Sequence, residues 1–223
     1  MRISIIGGTG GMGEGLALRW ALNHDILIGS RDIEKAKNTA SEYEKRAREY
    51  YKDINGSIKG GDNIEIAKDC DLLILSIPYE YARDTCSRIS KVVRDDTIIL
   101  SPIVPMRKGK NGFEYIPMHD NVKSATEIVI ENISNRERIV STLHTISEVK
   151  LRNLDASLDC DVYIAGDNIN NVKKISELLQ EIKGLRPLYI GDLTLAYQIE
   201  VLTPMLLNVG IKNKIKHPAL RII

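Results

Sequence analysis

The first residues able to do chemistry are backbone groups at the start of the chain. Arg2-Ile3-Ser4-Ile5-Ile6 is a short β-type run. It breaks into Gly7-Gly8-Thr9-Gly10-Gly11-Met12-Gly13-Glu14-Gly15, and Leu16 to Leu22 then reads as a helix. A strand that turns through glycines into a helix aims N–H groups at an anion and lets phosphates approach closely. Two frames fit, with either Gly8 or Gly7 leading to Gly10 and Gly13. A tight strand–helix turn is the bland alternative. The setting between strand and helix favours a dinucleotide pyrophosphate.

A second cluster follows the next apolar run, Asp25-Ile26-Leu27-Ile28-Gly29. An NAD-preferring fold places a carboxylate there to bind the ribose 2′-hydroxyl. This chain has Ser30-Arg31, with Lys35 about one helical turn on. A hydroxyl and a guanidinium attract a 2′-phosphate, which predicts NADP. Asp32 is better placed as a helix N-cap. Arg31 as an ordinary surface charge is the competing reading.

Acid–base machinery is sparse. None of the nine tyrosines is followed by Lys four residues later, and His24, His119, His144 and His217 lack metal-ligand spacing. No metal site is expected, and no G-x-S-x-G elbow or Cys–His arrangement stands out. His144 is the one candidate, because it follows a strand and should reach the sheet crevice. A hydrogen-bonded structural role suits it equally. A dinucleotide site without a proton relay fits hydride transfer between two stacked rings, where orientation supplies most of the catalysis.

These residues must be carried by alternating strands and helices. Asp71 to Ser76 and Thr97 to Leu100 are further buried strands, ending in Ile77-Pro78 and Ser101 to Pro105. Helical stretches lie between them, including 32–52, 62–69 and 79–93. The pattern predicts an α/β fold, a Rossmann-type doubly wound parallel sheet with ligands at the strands' carboxyl ends. Met106 to Lys123, with Arg107, Lys108, Lys110 and Pro117, reads as an irregular loop that could form a lid. The second half reads as a helix over 124–132, a strand over 138–143, a strand over 161–167, a helix over 168–183, a strand over 186–191 and a long apolar helix over 193–209. The expected division is an NADP-binding Rossmann domain over 1–140 and a smaller α/β domain over 141–223. The last helix is apolar enough to pack on another subunit.

Composition narrows the class. The 223 residues are 43% hydrophobic with a formal net charge of +1. Near-neutral charge gives no reason to expect nucleic acid, and no apolar run is long enough for a membrane helix. Met1 leads straight into the first strand, so no signal peptide is expected. Three cysteines without C-x-x-C spacing suggest a reducing cytoplasm.

Taken together, Gly7-Gly8-Thr9-Gly10, Gly29-Ser30-Arg31, Ser76-Ile77-Pro78-Tyr79-Glu80, Ser101-Pro102-Ile103-Val104-Pro105, Leu143-His144-Thr145-Ile146, Asn153-Leu154-Asp155, Gly184-Leu185-Arg186-Pro187-Leu188 and Leu202-Thr203-Pro204 resemble the archaeal F420H2:NADP oxidoreductases, nearly end to end. The resemblance implies a homodimer and reversible hydride transfer between C5 of the deazaflavin coenzyme F420 and C4 of the nicotinamide of NADP. By position it implies that Thr9, Gly10, Gly11 and Met12 hold the pyrophosphate. Ser30, Arg31 and Lys35 would hold the 2′-phosphate. Ile77, Tyr81 and Val104 would line the nucleotide and nicotinamide, and His144 and Ile146 would face the junction of the rings. Ser147-Glu148-Val149 departs from the small residues expected there, so Glu148 must contact the nicotinamide through backbone or turn away. Ala219, within Pro218-Ala219-Leu220, would lie near the deazaflavin. An imine or pyrroline-carboxylate type of NADP reductase would need a proton donor aimed at its substrate. A non-catalytic NADP sensor would leave the apolar second half unexplained.

Overall fold

The computed structural model describes residues 1–116 and 122–223. Pro117 and His119 therefore lie outside the described residues. The chain runs through β1 (Arg2–Ile6), α1 (Gly11–Trp20), β2 (Asp25–Ser30), α2 (Ile33–Tyr51), β3 (Ile58–Asp62), α3 (Asn63–Ala67), β4 (Leu72–Leu75), α4 (Ala82–Ile89) and β5 (Ile98–Ser101). There follow β6 (Met106–Gly109), β7 (Gly112–Tyr115), α5 (Ala125–Asn132), β8 (Ile139–Ser141), α6 (Glu148–Arg152), β9 (Cys160–Gly166), α7 (Ile169–Gln180), β10 (Leu185–Gly191), α8 (Ala196–Glu200) and α9 (Leu202–Asn213).

Eight strands make one sheet in the order β10-β9-β8-β5-β4-β1-β2-β3. The run from β3 to β8 is parallel throughout. It therefore brings the carboxyl ends of β1, β2, β4, β5 and β8 to one edge. β9 joins β8 antiparallel, with Ser141 opposite Ala165, and β10 lies parallel to β9. Residues on both sides of position 140 thus share the sheet. Its central strands are buried on both faces, as β1 and β4 show by their apolar runs. One core, around Trp20, fills the space under α1, α2 and α7, and the other lies under α4 and α5.

Helix starts follow side-chain chemistry. Asp32, Asp62, Ser124, Ser147 and Asn168 each accept backbone N–H bonds at the head of a helix. Two segments differ from the sequence reading. Residues 106–115 form an antiparallel hairpin, not an irregular loop. Arg107 pairs with Glu114 across it at 3.2 Å, and the Asn208 side chain clamps Phe113, accepting its N–H and donating to its carbonyl, both at 2.7 Å. The apolar stretch from 193 divides into a 3₁₀ turn, α8 and α9. Pro204 has no N–H for the Glu200 carbonyl, and its ring crowds that carbonyl, so the helix breaks after Glu200.

Candidate functional site

The loop after β1 uses its glycines for different purposes, which is why two frames fit the sequence. Gly7 has φ +68°, and a Cβ there would sit 2.5 Å from the Ser76 carbonyl oxygen. Gly7 N–H donates to Asn63 Oδ1 at 3.2 Å, and Gly8 N–H to the Gly29 carbonyl at 3.0 Å. The ends of β1, β2 and β4 and the head of α3 are thereby locked together. Gly13 lets α1 settle on the loop, because a Cβ there would lie 2.2 Å from the Gly8 carbonyl oxygen. Gly10 faces open space and caps α1 without a side-chain bond. The first N–H groups of α1, beginning at Gly11 and Met12, thus have no side-chain cap. Thr9 and Met12 are half-buried, and Met12 packs on the core. Glu14, the acid of that first turn, is paired with Arg46 and with Arg152 at 3.3 Å.

Ser30 ends β2, and its Oγ accepts the Asp32 N–H at 3.1 Å. Asp32 caps α2 by accepting the Lys35 N–H at 3.0 Å, which keeps this carboxylate occupied locally. The Arg31 guanidinium stacks over the Tyr81 ring at 4.9 Å from its centroid. Two loops from neighbouring parts of the edge therefore meet through a cation–π contact. Arg31 has no carboxylate partner among the described residues, so its N–H fork is available to an anion. Ile77 and Val104, half-buried, follow β4 and β5 on the same edge.

His144 stands three residues beyond β8. Leu143, just before it, has φ +72°, an uncommon conformation for a bulky residue and one that marks a constrained turn. Thr203 on α9 donates to the His144 carbonyl at 2.8 Å, and Ser141 Oγ lies 3.5 Å from Nε2. Burial pushes the imidazole down to about 3, so it is neutral near pH 7. Its Nδ1 is buried without a partner, as is Ser101 Oγ at the end of β5. Ile146 is buried in the core.

α6 and the tail close the second side. A Cβ at Gly15 would meet the Leu151 side chain at 2.6 Å, so α6 lies hard against α1. Buried Arg19 fixes it further, donating to the carbonyls of Leu151 at 2.8 Å and Asn153 at 2.7 Å. This docking sets the Glu148 carboxylate over Gly11, where an added Cβ would be 2.6 Å from Oε2. Ser147 Oγ meets His217 Nδ1 at 3.1 Å, and the Leu220 carbonyl accepts the Asp161 N–H at 2.8 Å. Exposed Ala219 lies between these two anchors. Asp161 also accepts the Ile222 N–H at 2.6 Å and a two-pronged Arg186 contact at 2.7 and 2.9 Å. Arg186 holds the Asp161 carboxyl below its ordinary range.

Residues 2–105 match the family model described as NADP oxidoreductase, coenzyme F420-dependent. The F420-dependent NADP reductase of Methanocaldococcus jannaschii is 35% identical over 224 residues, covering 100% of this chain and 98% of that protein. That of Methanothermobacter marburgensis is 32% identical, with the same coverage. The chain belongs to the F420-dependent NADP reductase family. It is an oxidoreductase whose cofactors are NADP and coenzyme F420, as the sequence resemblance implies. The crystal structure of a putative F420-dependent NADP reductase from Arthrobacter sp. FB24 has the same fold, with a TM-score of 0.79 at 17% identity and coverage of 100% and 99%. A pyrroline-5-carboxylate reductase from Coxiella burnetii shares the fold at TM-score 0.62 and 11% identity, covering 95% of this chain and 65% of its own.

The residues present fit the family's cofactors. Open Gly10, the uncapped start of α1 and the unpaired Arg31 suit a phosphorylated dinucleotide. The unpartnered Ser101 Oγ and His144 Nδ1 suit a polar ring system entering between β5 and β8. Among the described residues no cluster of His, Cys, Asp or Glu could hold a metal, and no helix is long and apolar enough to cross a membrane. The sequence carries no local signal for Arg19, Thr126, Ser141 or Glu200, and Thr203 enters only within Leu202-Thr203-Pro204 of the family resemblance.

Proposed function

We propose that this F420-dependent NADP reductase family member transfers a hydride reversibly between reduced F420 and NADP⁺ in the crevice at the carboxyl edge of β1, β2, β4, β5 and β8. Bound together, the two cofactors supply the chemistry, a hydride leaving C5 of the deazaflavin for C4 of the nicotinamide. The observation that carries the reading is the neutral, buried His144, with an unpartnered Nδ1, on the same sheet edge as the uncapped glycine loop.

The chain's own part is to bind, orient and exclude water. The backbone from Thr9 through Gly10 and Gly11 to Met12 holds the pyrophosphate. Ser30, Arg31 and Lys35 hold the 2′-phosphate, with Tyr81 flattening the Arg31 guanidinium against its ring. Ile77 and Val104 give the nicotinamide an apolar wall, and Ile146 with the backbone at Glu148 closes its other side. His144 offers a neutral hydrogen-bonding face at the ring junction, and Ala219 lies beside the deazaflavin. Residues 1–140 serve NADP, and residues 141–223 serve F420 and a second subunit. Exposed Val201, at the head of α9, and Met205 and Val209 on it recur every four residues, which supports a homodimer built on that face. The buried free thiols Cys70, Cys86 and Cys160 suit a reducing cytoplasm.

Anaerobic mixing of the protein with reduced F420 and NADP⁺ tests the reading. Return of the oxidised deazaflavin absorbance as NADPH forms is expected, and absence of both overturns it. An imine reductase would need a proton donor aimed at its substrate, and among the described residues the one side-chain partner of the imidazole is Ser141.

A further inference from the structure

Behind His144 a line of hydroxyls leads to a buried carboxylate. Ser141 Oγ, 3.5 Å from His144 Nε2, lies 2.8 Å from Thr126 Oγ1. Thr126 Oγ1 lies 2.9 Å from Glu200 Oε1, which also accepts the Thr126 N–H at 3.1 Å. The other carboxylate oxygen, Oε2, accepts the Ala125 N–H at 2.8 Å and faces the Tyr115 hydroxyl at 2.9 Å. Glu200 is fully buried at the end of α8, and the line crosses α5 and β8 before reaching the crevice.

Counting protons gives the line a direction. Each hydroxyl has one proton to donate. Thr126 spends its proton on Glu200 Oε1, so toward Ser141 it can only accept. Ser141 spends its own on Thr126, so toward the imidazole it can only accept. The imidazole proton must then be on Nε2, and a neutral ring has no second one. Nδ1 is left as a bare lone pair, and it is the buried nitrogen without a partner.

We infer that Glu200 is a positioning residue that acts through Thr126 and Ser141 to hold His144 as its Nε2–H tautomer, so that Nδ1 is presented as a hydrogen-bond acceptor. Whatever docks against Nδ1 must bring an N–H or O–H. On the hydride-transfer reading above, on which this recognition rests, the ring N–H of the deazaflavin's pyrimidine half is such a donor.

The direction survives titration of Glu200. Burial pushes that carboxyl up to about 7. A proton placed on Oε2 would be donated to the Tyr115 oxygen, while Tyr115 donates to the Lys123 carbonyl, also 2.9 Å away. Oε1 already faces two Thr126 donors and stays an acceptor. The other titratable groups acting on this pocket are Tyr115 itself, held neutral by burial and Glu200, with Glu127 and Tyr79 beyond it.

The test is proton–nitrogen correlation NMR of the histidine rings in the cofactor-free protein, with His144 assigned by its loss in His144→Gln. The expected wild-type signal is an Nε2–H ring, unchanged between pH 5 and 8. Glu200→Leu frees the Thr126 proton and reverses the line, moving the ring proton to Nδ1. That variant strands two backbone amides, so the nearly isosteric Thr126→Val carries the test should it not fold. Thr126→Val frees the Ser141 proton for Nε2 and shifts the tautomer ratio toward Nδ1–H about fivefold or more, the equivalent of about 1 kcal/mol. Thr126→Ser restores the wild-type pattern. An Nδ1–H ring in the wild type, or a ratio unmoved by Thr126→Val, overturns the inference. Neither result touches the hydride-transfer assay, and a failed hydride assay leaves the tautomer measurement standing.

Discussion

The two buried titratable groups on this line pull the stability of the fold in opposite directions with pH. His144 has an ordinary value of 6.5 and is lowered to about 3 by burial. As pH falls below 6.5 the unfolded chain takes a proton there that the folded chain refuses, so stability drops until about 3. Glu200 has an ordinary value of 4.5 and is raised to about 7, chiefly by burial. As pH rises above 4.5 the unfolded chain loses a proton that the folded chain keeps, so stability drops until about 7. Between 4.5 and 6.5 both groups act, each with a slope of about 1.4 kcal/mol per pH unit and with opposite sign. The wild type should be nearly flat with respect to this pair across that window. Glu200→Gln leaves the histidine slope alone, and stability should rise by roughly 2 kcal/mol from pH 4.5 to 6.5. His144→Gln leaves the carboxyl slope, and stability should fall by about the same amount. Urea unfolding at half-unit pH steps reads both, and only slopes matter, so a uniform loss from either substitution is harmless. Asp161 and Asp192, both lowered, titrate below this window and are common to all three proteins. Parallel profiles for the wild type and both variants would refute the reasoning.

Three further outcomes test the cofactor side. Arg31→Ala should raise KM for NADP roughly ten- to hundredfold, the worth of a charge-assisted pair at about 1.5–3 kcal/mol, and leave KM for NAD little changed. An equal effect on both nucleotides removes Arg31 from the 2′-phosphate site. Glu148→Ala should lower KM for NADP severalfold at low salt, because an exposed carboxylate over Gly11 repels a pyrophosphate by about 1 kcal/mol. Added salt should shrink that gain, and no gain at low salt means the carboxylate swings clear of the phosphates. Gly13→Ala drives a methyl to within 2.2 Å of the Gly8 carbonyl, so about 1–3 kcal/mol of stability and most NADP binding should be lost together. Thermal unfolding with and without NADP reads both.

The legible part of this protein is the part written in local rules. Glycines at 7, 8 and 13, the Ser30-Arg31 strand end and the apolar runs of β1, β4 and β5 each announce themselves within a few residues, and the sheet follows from their alternation. The Asp32 N-cap was legible for the same reason. The hairpin at 106–115 was not, and one of the contacts that clamp it comes from Asn208, nearly a hundred residues away. The break after Glu200 was written in Pro204, but apolar spacing at Leu195, Ile199, Leu202 and Leu206 outweighs one proline when only periodicity is read.

Glu200 shows why the site itself was only half readable. A single glutamate between two apolar helices looks like a surface residue, since an ionised carboxylate is costly to bury. Here two backbone amides at the head of α5 and the Thr126 and Tyr115 hydroxyls surround it. None of these is near it in sequence, and each is an unremarkable residue alone. Glu200 stands three hydrogen bonds behind the imidazole. From there it orders His144 through hydrogen bonds, while on the proposed reading the exposed Glu148 carboxylate over Gly11 is the one that bears on the pyrophosphate. On that reading Glu200, behind Ser141 and Thr126, orients the imidazole at the ring junction through hydrogen bonds, while Arg31 meets the 2′-phosphate at the other end of NADP.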